Sequence, residues 1–465
     1  MSAEELKKEL FEESKGAFLK MQDKEIDESY KFAEGYKAFL DACKTEREVV
    51  SYGIKLLEQE GFKKYEFGMK LSAGDKIYFD NRGKNIFAGI IGTESFDNGF
   101  TLSASHIDSP RLDLKQHPLY EKDGMCFLKS HYYGGIKKYQ WTAIPLALHG
   151  RVCLADGSFK DIVIGEKEDD PVFYINDLLP HLGAEQMAKK GSEIIEGEAL
   201  NLLCASREYK DGDNEVSDAI KLNVLKYLND NYGMVEADFV SAEFEAVPAF
   251  KARDIGFDRS LIGAYGHDDR VCAYPSLMAL INAKEVKRSA FTVLADKEET
   301  GSEGNTGMQS DAFFNIIDDI IATFGVNRAK TYANAECLSA DVNACYDPNF
   351  AGVFERMNSS FLNKGVVMTK FTGARGKSST SDASAEFVGK IRKIFDEAGV
   401  IWQTGELGKI DAGGGGTVAK YIANKNIDTV DLGVAVISMH APYEVISKAD
   451  LYMTYKALLA FHKSK

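Results

Sequence analysis

Residues 291–303, FTVLADKEETGSE, constrain the fold more than any other stretch. The apolar run from Phe291 to Ala295 reads as a buried strand. It stops in Asp296, Lys297, Glu298 and Glu299, and the turn residues Gly301, Ser302 and Gly304 follow. Adjacent carboxylates at the end of a buried strand are unfavourable without a compensating partner. A metal ion is one such partner. One carboxylate then binds the ion, and its neighbour handles the proton of an attacking water. Alone, a Glu–Glu pair is an ordinary solvated loop; four further segments of similar design give it weight.

In FTLSASHIDSPRLDLKQHP, residues 100–118, a strand ends near Ser105 and His106 and Asp108 follow. Residues two apart share a face of an extended chain, so Asp108 can hold the ring nitrogen that a metal does not use. In AYGHDDRVCAYPSLMALINA, residues 264–283, Asp268 and Asp269 precede an apolar helical pattern. Backbone N–H groups at a helix start favour carboxylates. LSAD carries Asp341, and TVDLGVAVISMHAPYE reads as an apolar strand ending at Met439 and His440.

Strands alternating with helices predict an α/β fold with a mixed, largely parallel sheet sandwiched by helices. Ligands in such sheets gather beyond the carboxyl ends of the strands. His106, Asp108, Asp268, Glu298, Glu299, Asp341 and His440 can therefore converge there. Two histidines and several carboxylates suit zinc first, with cobalt or manganese as alternatives. The donor count favours two divalent ions sharing one carboxylate, each with one histidine and one further carboxylate.

Around this frame, residues 2–62 are helical in pattern, with Thr45 and Glu48 forming a capping-box signature. Residues 76–92 read as a β-hairpin turning at Gly83. Residues 110–255 change character: short strand-like runs separated by loops predict a smaller β-rich domain inserted between 1–109 and 256–465. His181, in LLPHL, is the one residue of that insert to watch. The run Gly413–Gly416 before a helical pattern lacks the GK[ST] ending of a phosphate loop, so nucleotide binding is discounted.

A net charge of −15 argues against nucleic acid or anionic membrane as the main partner. No apolar run approaches the ~18–20 residues of a membrane span, and the charged start has no signal-peptide pattern. A cytoplasmic protein is expected. Seven scattered cysteines, never in CxxC spacing, read as reduced thiols.

HIDSPRLDLK, GHDDR, DKEETGSEG, LSAD and MHAPYE, in that order, resemble the M18 family of metalloaminopeptidases, the aspartyl aminopeptidase group of the di-zinc clan. The likeness covers essentially the whole chain and is closest to the bacterial branch. It implies a catalytic domain of the di-zinc aminopeptidase type, interrupted by a β-rich domain serving assembly and access. It implies homo-oligomers, tetrahedral dodecamers in the family, and a peptide substrate with a free N-terminus. By position, His106 matches the first metal histidine and Asp108 the aspartate orienting it. Asp268 matches the bridging carboxylate, Glu298 the general base, Glu299 and Asp341 the terminal carboxylates, and His440 the last histidine. One ion would then have Asp268, Glu299 and His440, and the other His106, Asp268 and Asp341.

M18 members are often associated with acidic N-terminal residues, which would need a cation in the first pocket. The candidates are Arg375 and Lys377 in TGARGKSS, a segment that departs from the eukaryotic enzymes, so neutral first residues remain an alternative. A related carboxypeptidase or deacylase is the nearest rival activity. A two-carboxylate glycosidase using Glu298 with Asp268 or Asp341 would not need the two histidines, and a non-catalytic scaffold would lack a ligand or base.

Overall fold

The computed structural model describes residues 1–11, 15–212, 214 and 216–464. Thr45 caps helix Glu46–Gln59 in the expected box: its hydroxyl accepts the Glu48 N–H, and the Glu48 carboxylate accepts the Thr45 N–H. The helix buries Val49, Val50, Gly53 and Leu57, while Ile54 and Leu56 are half-buried. Gly53 belongs to the buried face because Ile86 crosses there, with its Cδ1 2.8 Å from where a Cβ would stand.

Strands Lys76–Asn81 and Asn85–Ile90 form the expected hairpin, with Arg82 and Gly83 at positive φ in the turn. They flank one side of a nine-stranded sheet. Its centre is four mutually parallel strands in spatial order: Ser289–Ala295, Phe100–His106, Glu336–Ala340 and Asp428–Gly433. Alternate side chains of Ser289–Ala295 enter two cores. Ala290 and Leu294 pack with helix His267–Ala283 through Leu277 and Leu280. Phe291 and Val293 pack with helix Ala312–Phe324 through Phe313, Ile317 and Ile320. The register sets Ala295 beside His106, so the ends of these strands open on one place.

A second, seven-stranded sheet is wholly antiparallel, and all its strands lie within residues 111–248. Strand Ala242–Pro248 pairs with both Arg111–Lys122 and Pro145–Cys153, closing the sheet around Leu112, Leu128, Trp141, Leu148 and Phe244. The architecture is thus mixed α/β with a largely parallel sheet and a separate antiparallel β-rich part. A small third sheet pairs Leu261–Ala264 with Glu444–Ser447, placing Glu444 opposite Ala264.

Two expectations need correction. The strand predicted to end at Met439 and His440 stops at Gly433. There the backbone passes so close to Asp341 that a Cβ would come within 1.7 Å of its carbonyl oxygen. Ala435–Val436 then pairs with Asn343–Ala344, and His440 follows in a turn at φ +64°. The Gly413–Gly416 run does not open a helix; it is irregular, and the five-residue helix Ala419–Ala423 begins after it. Gly414, at positive φ, lies where a Cβ would meet the Gly373 carbonyl at 2.0 Å.

The cysteines are free, five of them buried. No helix among the described residues is long and apolar enough to cross a membrane.

Candidate metal centre

His106, the last residue of its strand, turns Nε2 toward three carboxylates: Asp268 Oδ1 at 3.1 Å, Asp341 Oδ1 at 3.7 Å and Glu298 Oε2 at 3.9 Å. His440 Nε2 faces Asp268 Oδ2 at 3.1 Å and Glu299 Oε1 at 3.6 Å. The two oxygens of Asp268 therefore face different histidines. Two sets of donor atoms lie within 4.8 Å of one another: His106 with Glu298 and Asp341, and His106 with Asp268 and Glu299.

The opposite ring nitrogens are also held. His106 Nδ1 is 3.0 Å from the Asp108 carbonyl and 3.3 Å from its Oδ1. The contact to His106 is thus shared between the side chain and backbone of Asp108. The Asp108 carboxylate also accepts the N–H groups of Glu298, at 3.1 Å, and Glu299, at 3.2 Å. His440 Nδ1 faces the Gly135 carbonyl at 2.7 Å, so both imidazoles present Nε2 to the carboxylates.

Asp268 and Asp269 lie in a non-helical start to helix His267–Ala283, joined by a cis peptide. Asp269 accepts the backbone N–H of His106 at 3.2 Å, which keeps it out of the donor cluster.

Glu444, unassigned from the sequence, accepts the N–H of Asp268 and that of His440. It belongs to MHAPYE, but nothing in its spacing distinguishes it from an exposed glutamate.

The charges are out of balance. Burial, reinforced by Asp341 and Asp268 and opposed by His106, pushes Glu298 up to about 8. Burial and then the Asp268 charge push Glu299 up as well. Burial would also raise Asp268, but His106 and His440 bring it below the ordinary carboxylate range. Burial lowers His440, and Asp268 with Glu299 outweighs it, giving about 10. Buried carboxylates crowd two imidazoles, and among the described residues neither His106 Nε2 nor Glu299 Oε1 makes a well-directed hydrogen bond despite these close charges. Divalent cations suit these unpaired donors, and an all N/O donor set fits zinc.

A cavity of about 500 Å³ opens on Asp268, Glu298, Glu299, Asp341 and His440. Asn343, Thr369, Leu407, Thr417 and Lys420 also line it. Arg375 and Lys377 line an adjoining recess with Glu406 and Lys409. Lys377 there pairs with Asp382 at 2.9 Å and covers the Phe371 ring at 3.7 Å.

The family model described as aminopeptidase I zinc metalloprotease (M18) matches residues 39–462. The chain belongs to the M18 family of zinc aminopeptidases. A relative called "Probable M18 family aminopeptidase 1" in Clostridium acetobutylicum is 47% identical over 461 residues, 97% of this chain and 99% of the relative. The crystal structure of an M18 aminopeptidase from Thermotoga maritima matches with TM-score 0.92 at 42% identity, covering 98% of this chain and all of that one. That of aminopeptidase I from Clostridium acetobutylicum matches with TM-score 0.91 at 45% identity, covering 98% of this chain and 100% of its own. This chain is accordingly a metal-dependent aminopeptidase, a hydrolase that removes N-terminal residues from peptides.

Proposed function

We propose that this M18 aminopeptidase works with two divalent ions, zinc before cobalt or manganese, in a catalytic part of the di-zinc type. The observation that carries the reading is Asp268, whose two carboxylate oxygens face His106 and His440 at 3.1 Å each. Asp268, Glu299 and His440 would hold one ion; His106, Asp268 and Asp341 would hold the other. When bound, the ions supply Lewis acidity for the attacking water and scissile carbonyl, and a seat for the free α-amine.

Glu298 is the general base. It has the longest of the three contacts to His106 Nε2, 3.9 Å, and lines the cavity, so it is free to face the substrate. Its carboxylate takes the proton of the attacking water and returns it to the leaving amine nitrogen. Asp108 keeps His106 in the tautomer that directs Nε2 inward, and fixes the Glu298–Glu299 backbone. Lys420, half-buried, lines the same cavity as the carboxylates, with Arg375 and Lys377 in the adjoining recess. An acidic first residue would use these cations, and a neutral one the Leu407 side of the wall.

Residues 110–255 serve assembly and access, between the two segments of the catalytic domain. Leu178, Leu179, Leu182 and Met187, around His181, are 50–72% exposed, which favours a homo-oligomer covering them. The native mass in solution checks that reading.

The deciding experiment combines metal analysis with a panel of aminoacyl-nitroanilides, free and N-acetylated. Expected are two zinc ions per chain, activity lost on chelation and restored by zinc, and no cleavage of acetylated substrate. Asp268→Ala should lose metal as well as rate. Full occupancy in that variant would remove Asp268 from the bridging position, and release of acetate from the acetylated panel would favour the deacylase reading.

A further inference from the structure

Three consecutive residues from the antiparallel part reach into the metal centre. Tyr133 ends strand Met125–Tyr133, and Gly134 and Gly135 follow. The Tyr133 ring lies 3.9 Å from the Arg111 guanidinium. Arg111 is itself held by Asp113 at 2.8 Å, Glu245 at 3.3 Å and Glu46 at 3.4 Å. The ring is therefore fixed from behind. Its hydroxyl donates to Asp108 Oδ2 at 2.8 Å.

Among the described residues, that hydroxyl is the only side-chain hydroxyl of the four donors around the Asp108 carboxylate. The others are the His106 ring and the N–H groups of Glu298 and Glu299. Losing one donor frees the carboxylate to rotate away from the other three. Gly134, at φ +72°, lies against Glu299: a Cβ there would stand 3.2 Å from Oε2 and 3.3 Å from the Glu299 Cβ. The Gly135 carbonyl takes the Nδ1 proton of His440. One short segment thus touches a positioning contact in each half of the centre.

We propose that Tyr133-Gly134-Gly135 is a clamp through which the antiparallel part sets the metal affinity of the catalytic part. Tyr133 is a positioning residue acting through Asp108 on His106 and on the Glu298–Glu299 backbone, and the Gly135 carbonyl acts through His440. This rests on the reading of His106 and His440 as metal ligands. Groups that orient metal-binding histidines commonly change metal affinity by about 10–100-fold when removed.

The test uses the full chain as Tyr133→Phe, Gly134→Ala, Tyr132→Phe and His106→Ala. Zinc affinity is measured by competition with a chromophoric chelator, and the visible spectrum is recorded after loading with cobalt. Tyr133→Phe removes one oxygen from a ring that keeps its packing, so folding is checked simply by the melting temperature of the metal-free protein. Expected are about 10–100-fold weaker zinc binding and an altered cobalt spectrum for Tyr133→Phe. Gly134→Ala should also weaken zinc binding, because its Cβ would press on Glu299 and the backbone at φ +72° is strained for alanine. Tyr132→Phe, at an exposed neighbour, should match wild type. Wild-type affinity and spectrum in Tyr133→Phe, with zinc binding lost in His106→Ala, would overturn the clamp while leaving the metal reading intact. Unchanged zinc binding in His106→Ala would overturn the ligand assignment and the clamp with it.

Discussion

Glu444 holds Asp268 by its backbone: Oε2 accepts the Asp268 N–H at 3.1 Å, while Oε1 accepts the His440 N–H at 2.6 Å. One carboxylate thereby sets the spacing between the proposed bridging acid and the last histidine. Glutamine at this position can accept only one of the two N–H groups and must turn its own amide toward the other. An unmet buried donor costs about 1–3 kcal/mol. Glu444→Gln should therefore weaken zinc by about 10–100-fold. A chelator-competition titration reads this, and wild-type affinity would show that the backbone of Asp268 needs no such support.

Glu298→Gln separates proton transfer from metal binding. The variant should retain the wild-type zinc content, and kcat should fall by about 10²–10⁴. Metal analysis alongside steady-state kinetics checks both halves. A fully loaded variant with wild-type kcat would remove Glu298 from the role of base.

The pocket cations can be ranked. Lys420 lines the cavity that the carboxylates open on, with its Nζ 4.8 Å from the Tyr421 ring, whereas Lys377 in the adjoining recess is ion-paired with Asp382 and covers the Phe371 ring. Lys420→Met should lower kcat/KM for an Asp or Glu substrate relative to a Leu substrate by about tenfold, a value corresponding to roughly 1.4 kcal/mol. Arg375→Ala and Lys377→Met should shift that ratio less. The reverse order would move the acidic-residue pocket to the adjoining recess.

Glu166 provides a pH test away from the metals. It meets Lys44 at 2.7 Å, Lys251 at 2.6 Å and His149 at 3.1 Å. Burial would raise its carboxyl, but the His149 hydrogen bond and the charge of Lys44 bring it from 4.5 to about 2. A carboxyl lowered by folding stabilises the protein above its unfolded value, and that contribution disappears as pH falls through the folded value. Between about pH 5 and 2, wild type should lose on the order of 2 kcal/mol that Glu166→Gln does not lose. Urea unfolding of both proteins across that range measures it; parallel curves would contradict the prediction.

The parts of the centre visible in the sequence are those where an apolar run gives way abruptly to a donor. Ala295 leads through Asp296 to Glu298, Ser105 precedes His106, and Ala340 precedes Asp341. The buried strand reveals both the fold and the place where its chemistry collects. His440 was legible as a donor but not as a conformation, because Gly433 ends the strand through contact with the Asp341 backbone, a pairing distant in sequence. Glu444 and Gly135 were not legible. They act on, or through, backbone groups, and no residue type or spacing encodes that. Tyr133 was hidden because its partner, Asp108, lies in the loop after a strand of the other sheet, Phe100–His106. Arg375 and Lys377 stood out because a basic glycine-rich loop is conspicuous in sequence, whereas Lys420 looked like one more surface lysine of a short helix.

Glu48 completes the capping box of Thr45 with one carboxylate oxygen, and its second oxygen has another partner. Oε2 takes the N–H groups of Lys44 and Thr45, and Oε1 meets His149 Nδ1 at 2.7 Å, within the antiparallel part. The same side chain closes a helix in one part and docks the other. Residues 111–248, which hold the antiparallel sheet, are therefore no detachable cassette. A chain from which they were excised would strand Glu48 without His149, and the buried ammonium of Lys44 without Glu166. Exchanging that part alone for another sequence would keep these contacts only with matching residues at positions 44 and 48.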